Sequence, residues 1–282
     1  MSEPRQVVGV GPHDRWIKVH IIDRGTGVPL VFVPGLQGRW EYMRRVIDAL
    51  AGVCRVITFS LCDEPTAGYP FDQHRGLDAF ADQIGAALDE RGVSRAAICG
   101  LSLGGLIALR FAVRHPERTS CLVLVSTPGP GWHLRPAHEM YVRAPWLFAP
   151  LFFAGMPFRL RAEFAAALPR RQDRMRFQWE QVRTFLTAPL PPHRLAARAR
   201  IAAAAVGSDD SSAVSVPTLI VTGEPSLDRV VPVAGTREYA RLIPGARLVQ
   251  LDRSGHLGCL TRPREFAAIV RAFLEESHHA AA

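Results

Sequence analysis

A serine set between a buried strand and a buried helix, with a glycine two residues away on each side, constrains this chain more than any other feature. The stretch is Arg95–His115, RAAICGLSLGGLIALRFAVRH. Small and β-branched residues from Arg95 to Cys99 suit one buried strand. Gly100-Leu101-Ser102-Leu103-Gly104 follows, and Gly105 to His115 reads as a nearly all-apolar helix that Pro116 stops. A turn this sharp holds Ser102 at strained backbone angles that cost roughly 1–3 kcal/mol. Gly100 and Gly104 are required because a Cβ at either would collide with neighbouring backbone. In return the hydroxyl stands clear of the sheet at the positive end of a helix. An ordinary glycine-rich strand-to-helix turn fits the same five residues, so the serine's partners must be sought elsewhere.

The chain has 282 residues. That length buries on the order of three quarters of the unfolded surface, which suits one α/β domain with room for an insertion. The opening MSEPRQVVGVGPHDRW is polar and lacks the apolar core of a secretory signal. The longest apolar run, Ala144 to Phe158, is broken by Pro150, Gly155 and Pro157 and falls short of the roughly 18–20 residues a membrane span needs. The five cysteines (Cys54, Cys62, Cys99, Cys121, Cys259) are scattered without metal-ligand spacing. They read as reduced thiols of a cytoplasmic protein, with Cys62 and Cys259 toward the mouth of the site. No metal and no cofactor are expected.

The formal charge of +8 is unevenly placed. Between Trp132 and Val206 stand twelve arginines against four acids (Glu139, Glu163, Asp173, Glu180), a difference of eight that accounts for the whole excess. Lys18 is the only lysine, which points to compositional bias rather than to phosphate contacts. The arginines lack aromatic interleaving, so they read as a solvated face, with no nucleic-acid partner and no membrane partner.

Elsewhere strands alternate with helices. Strands are expected at Arg15–Arg24, Pro29–Val33, Val53–Phe59, Cys121–Val125, Thr218–Thr222 and Arg247–Leu251. Helices are expected at Tyr42–Leu50, Arg75–Arg91, Val233–Leu242 and Arg264–Glu276. Arg75–Arg91 carries Leu77, Phe80, Ala81, Ile84 and Leu88 on one face. This alternation predicts a mostly parallel, doubly wound sheet whose reactive groups collect at the carboxyl ends of its strands. From Pro128 to Ser215 the rhythm gives way to arginine-rich helices separated by prolines. The predicted organisation is a core of residues 1–127 and 216–282 with a helical cap at 128–215, joined by the polar linker Asp209-Asp210-Ser211-Ser212.

Three stretches line up at strand ends: Ser102, the loop GEPSLDRVVP carrying Asp228, and Ser254-Gly255-His256-Leu257. G-x-S-x-G with the order Ser…Asp…His resembles the serine-nucleophile branch of the α/β-hydrolase family. The resemblance covers nearly the whole chain outside the cap and implies an α/β-hydrolase fold. It implies that Ser102 is the nucleophile, that His256 takes and returns its proton, and that Asp228 holds the imidazole. Glu224 and Asp252 are competing acids. Glu224 follows its strand too soon to reach round, and Asp252 is too near His256. The resemblance also implies an oxyanion hole from the N–H of Leu103 and, from the loop Pro34-Gly35-Leu36, the N–H of Leu36.

Ser102 excludes the aspartate-nucleophile dehalogenases and epoxide hydrolases. C–C hydrolases of meta-cleavage products usually carry a tryptophan where this chain has Leu257. His-Leu-x-x-Leu-x-x-Pro (His256 to Pro263) with Phe266 is more similar to enol-lactonases and small carboxylesterases. The implied activity is carboxylic ester or lactone hydrolysis of a small-molecule substrate, apolar and with room for an anionic end. The alternatives are C–C hydrolysis of diketone-type acids and ligand binding without turnover. Gln37, Trp146, Phe148, Phe152 and Leu257 are the candidate pocket residues, although cap residues packing on one another would give the same aromatic cluster. Where the family has an acidic, glycine-rich turn after the third strand, this chain has Ser60-Leu61-Cys62-Asp63-Glu64-Pro65, and Asp63 and Glu64 have no assigned role beyond the site rim.

Overall fold

The computed structural model describes residues 20–205 and 211–279. Among the described residues seven strands form one sheet: β1 (Ile21–Arg24), β2 (Pro29–Val33), β3 (Arg55–Phe59), β4 (Ala96–Leu101), β5 (Thr119–Val125), β6 (Thr218–Thr222) and β7 (Arg247–Gln250). Their order is β1-β3-β2-β4-β5-β6-β7. β1 runs antiparallel to β3, and every other pair is parallel. The helices are α1 (Arg44–Ala51), α2 (Leu77–Glu90), α3 (Leu103–Arg114), α4 (Pro136–Arg143), α5 (Pro145–Ala167), α6 (Arg171–Thr187), α7 (Pro192–Ala205), α8 (Val233–Leu242), α9 (Gly258–Thr261) and α10 (Pro263–His279).

The central strands β2 and β4 are apolar along their whole length, as suits strands covered on both faces. Val31, Val33, Ile57, Phe59, Ile98 and Leu124 pack under α2 and α3, against Phe80, Ile84, Leu106 and Phe111. Leu30, Phe32, Val56, Cys99 and Val123 pack under α1 and α10, against Ile47, Leu50, Phe266 and Val270. This is the predicted mostly parallel sheet with helices on both sides and a helical insertion, α4 to α7, between β5 and β6.

Three local expectations are corrected. β4 continues to Leu101, which pairs with Val125, and α3 begins at Leu103, so the turn consists of Ser102 alone. Pro150 and Pro157 do not separate helices; both lie inside the 23-residue α5. Neither proline can donate to the carbonyl four residues back, an interior cost of about 3 kcal/mol each that packing must outweigh. All five cysteines are buried, so neither Cys62 nor Cys259 is exposed at a site mouth. Residues 15–19 of the first expected strand and Asp209 and Asp210 of the linker lie outside the described residues. Among the described residues no helix is long and apolar enough to cross a membrane.

Candidate active site

Ser102 has φ 54° and ψ −117°, a left-handed conformation that a side chain rarely adopts. Its N–H donates to Val125 O at 2.8 Å, anchoring the turn to β5. A Cβ at Gly100 would overlap the Gly104 carbonyl, and one at Gly104 would overlap the carbonyls of Val33 and Pro34. The two glycines therefore let α3 fold back onto β4 and sit against the end of β2. Leu103, first residue of the helix, has no intrahelical acceptor for its N–H.

The loops after β6 and β7 are sewn together. Glu224 N–H donates to Ser254 O at 2.8 Å, and Leu251 N–H donates to Thr222 O at 2.8 Å. A Cβ at Gly223 would lie 2.5 Å from Gly255 O, and one at Gly255 would lie 2.6 Å from Leu227 O, so only glycines allow this approach. Asp228 Oδ1 accepts from Val230 N–H at 2.9 Å and from Val231 N–H at 3.0 Å. Those bonds aim its other oxygen, Oδ2, at His256 Nδ1, 3.2 Å away. Both side chains are buried. Burial works against a charged imidazolium, but the Asp228 charge, the Asp228 hydrogen bond and the Glu163 charge outweigh it and hold His256 above its ordinary range. The rival acids are engaged elsewhere: Glu224 Oε1 accepts from Arg253 N–H at 2.6 Å, and Asp252 accepts from Gln250 on the surface. Among the described residues no hydrogen bond joins Ser102 Oγ to the imidazole.

β2 lies beside β4 with Val33 opposite Gly100, so the loop after β2 emerges next to Ser102. It is a tight turn in which Gly38 N–H donates to Gly35 O at 2.9 Å. Gln37 folds back over it: a Cβ at Gly35 would lie 3.4 Å from Gln37 Oε1 and 3.5 Å from Ser102 Cβ. From α7 the buried Arg198 braces the turn, its Nη1 donating to Leu36 O at 3.1 Å and to Gln37 O at 2.8 Å. The same guanidinium pairs with Asp63 and with Glu64 Oε1 at 2.5 Å. Gly38, at φ 68°, packs so closely on the guanidinium that a Cβ would overlap it.

The model of the alpha/beta hydrolase family matches residues 30–269. The chain belongs to that family. Among curated relatives it is 27% identical to a 2-hydroxymuconate semialdehyde hydrolase of Pseudomonas sp. (strain CF600), over 98% of this chain and 95% of the relative. Among solved structures, Est816, described as an N-acyl homoserine lactone degrading enzyme, is 26% identical with TM-score 0.70 over 93% of this chain and 98% of Est816. The enol-lactonase from Burkholderia xenovorans LB400, 20% identical with TM-score 0.72 over 91% of this chain and 96% of its own, shares the fold.

Within this alpha/beta hydrolase the expected pocket residues scatter. Gln37 lies beside Ser102, and Leu257 follows His256, its N–H bonded to Glu163. Phe152 stacks on Tyr141 with ring centroids 4.4 Å apart, and Phe148 packs into the same small cluster inside the insertion. Trp146 is 67% exposed and stacks on His193. Sequence reasoning missed Arg198 and Glu163, which were two charges among sixteen in an arginine-rich segment. Only their burial sets them apart, and no local spacing signals it.

Proposed function

We propose that this chain is a serine hydrolase that cleaves small-to-medium carboxylic esters or lactones through an acyl-enzyme on Ser102, with the insertion at 128–215 as its cap. The observation that carries the reading is the buried His256–Asp228 pair, held on two interlocked loops at the same sheet edge as the strained Ser102. Asp228 keeps the proton of the imidazole on Nδ1, leaving Nε2 as the base. Nε2 takes the Ser102 hydroxyl proton as Oγ bonds to the carbonyl carbon. The oxyanion is received by the N–H groups of Leu103 and Leu36, each worth ~3–4 kcal/mol in the transition state. His256 returns the proton to the leaving alkoxide, and the C–O bond breaks. Water, deprotonated by the same nitrogen, then releases the acid and regenerates Ser102. Gln37 and Leu257, flanking the nucleophile and the base, are the nearest candidates for substrate contact. Phe148, Phe152 and Trp146 belong to the cap that shapes entry.

C–C bond cleavage by the same residues is the second reading, favoured by the likeness to the semialdehyde hydrolase. Leu257 at the position after His256 and the lactone-degrading neighbour favour esters and lactones. Labelling with a fluorophosphonate probe tests the nucleophile: the wild type labels and Ser102→Ala does not. Failure of the wild type to label would dismiss the serine mechanism. p-Nitrophenyl esters set against vinylogous diketones decide between the two bond types.

A further inference from the structure

Glu163 is a buried carboxylate beside His256 to which the mechanism gives no task. It projects from α5 and is 1% exposed. Its Oε1 accepts from Leu257 N–H at 2.9 Å, directly after His256. Its Oε2 is buried against the Gly255 backbone, where no donor meets it at full hydrogen-bond geometry and a Cβ would lie 2.9 Å away. The carboxylate thus straddles the backbone on both sides of the imidazole. Among the described residues no ion pair reaches it, in contrast to the equally buried Glu64, which meets Arg198, Arg194 and Arg39. A buried carboxylate without a cation beside it costs several kcal/mol in stability when ionised.

We propose that Glu163 is a positioning residue that clamps α5 of the insertion onto the His256 loop and, when ionised, makes the imidazole a stronger base. Docking of the cap and proton abstraction at Ser102 are then coupled through one side chain. The inference rests on His256 being the base of the proposed mechanism. Two carboxylates act on the imidazolium: Asp228 through Nδ1 and Glu163 through its charge. The titratable groups facing Glu163 are His256 and Asp228 on the interlocked loops and the Cys259 thiol on α9, itself pushed up by burial first and by the Glu163 charge second. Burial, helped by the Asp228 charge, pushes the Glu163 carboxyl up to about 7 against the pull of the Leu257 N–H, of His256 and of the Gly255 N–H, so its charge changes in the range where the histidine works.

The test is an NMR titration of His256 in histidine-labelled full-length wild type and Glu163→Gln, with pH profiles of kcat/KM for p-nitrophenyl acetate. The amide of Gln can still accept from Leu257 N–H but carries no charge. The expected result is a His256 midpoint roughly one pH unit lower in Glu163→Gln, with the acid limb of kcat/KM moving down by the same amount. An unchanged midpoint in a folded variant would overturn the proposal, as would a shifted midpoint with an unmoved acid limb. If Glu163→Gln does not fold, the wild type decides: coupling requires a second inflection in the His256 titration, and a single-site curve rejects it. The titration needs no turnover, so a chain that fails to react with fluorophosphonate still reports on Glu163.

Discussion

Arg198 and Asp63 form a two-point ion pair inside the molecule, Nε to Oδ2 at 2.8 Å and Nη2 to Oδ1 at 2.8 Å. Their side chains are 1% and 8% exposed. One guanidinium therefore ties together α7, the loop after β3 and the turn beside Ser102. Asp63, in the stretch that replaces the family's glycine-rich turn, has a structural task as the counter-ion of that brace.

Replacing Arg198 with Met should leave the Asp63 carboxylate buried without its cation and cost about 3 kcal/mol in stability. Arg198→Lys should keep a charge but lose the fork that reaches carboxylates and carbonyls together, lowering kcat more than stability. Urea denaturation and steady-state kinetics read the two effects. A Met variant within the error of the wild type would remove the brace from the account.

Ser102→Gly should stabilise the fold while removing the hydroxyl. Relief of the strain at φ 54° outweighs the extra freedom of glycine in the unfolded chain by about 1 kcal/mol, a rise of roughly 2–4 °C in Tm. Calorimetry of the two proteins measures it, and a lower Tm for the glycine variant would contradict the strain argument.

Asp228→Asn keeps an oxygen for the N–H groups of Val230 and Val231 but presents no charge to the imidazole. By analogy with other triads, ester turnover should fall roughly 10⁴-fold with the fold intact. Circular dichroism and hydrolysis of p-nitrophenyl acetate check both halves; near-wild-type turnover would reassign the acid.

The pH dependence of stability should carry the signature of Glu163, whose carboxyl burial raises from 4.5 to about 7. The folded state holds this proton more tightly than the unfolded chain does. The stabilisation is therefore complete below the unfolded value and lost as pH rises through the folded one. Its size is on the order of 3 kcal/mol. Urea unfolding at pH 5 and pH 8 should show a larger loss in the wild type than in Glu163→Gln; parallel losses would mean that the carboxyl ionises freely.

The elbow and the alternation of strands and helices that makes a mostly parallel sheet were legible along the chain because they are written in local terms. β-Branched runs, glycines where backbones touch, and prolines at helix ends act over a few residues and need no knowledge of distant neighbours. The loop bearing Asp228 and the one bearing His256 could be placed for the same reason, since parallel strands deliver their trailing loops to one edge. The choice among Glu224, Asp228 and Asp252 was also open to argument, because reach depends on distance along the loop.

Arg198, Glu163 and the prolines of α5 were different. Whether an arginine is one more solvated charge or a buried brace depends on which helix face meets the core. In a segment with arginines at nearly every turn and an apolar helix without a polar side, periodicity does not distinguish the faces. Burial is a property of the packed molecule: only when α5 and α7 dock does water leave these two side chains, and only then does a carboxylate or a guanidinium acquire the partners, or the lack of them, that give it a chemical role.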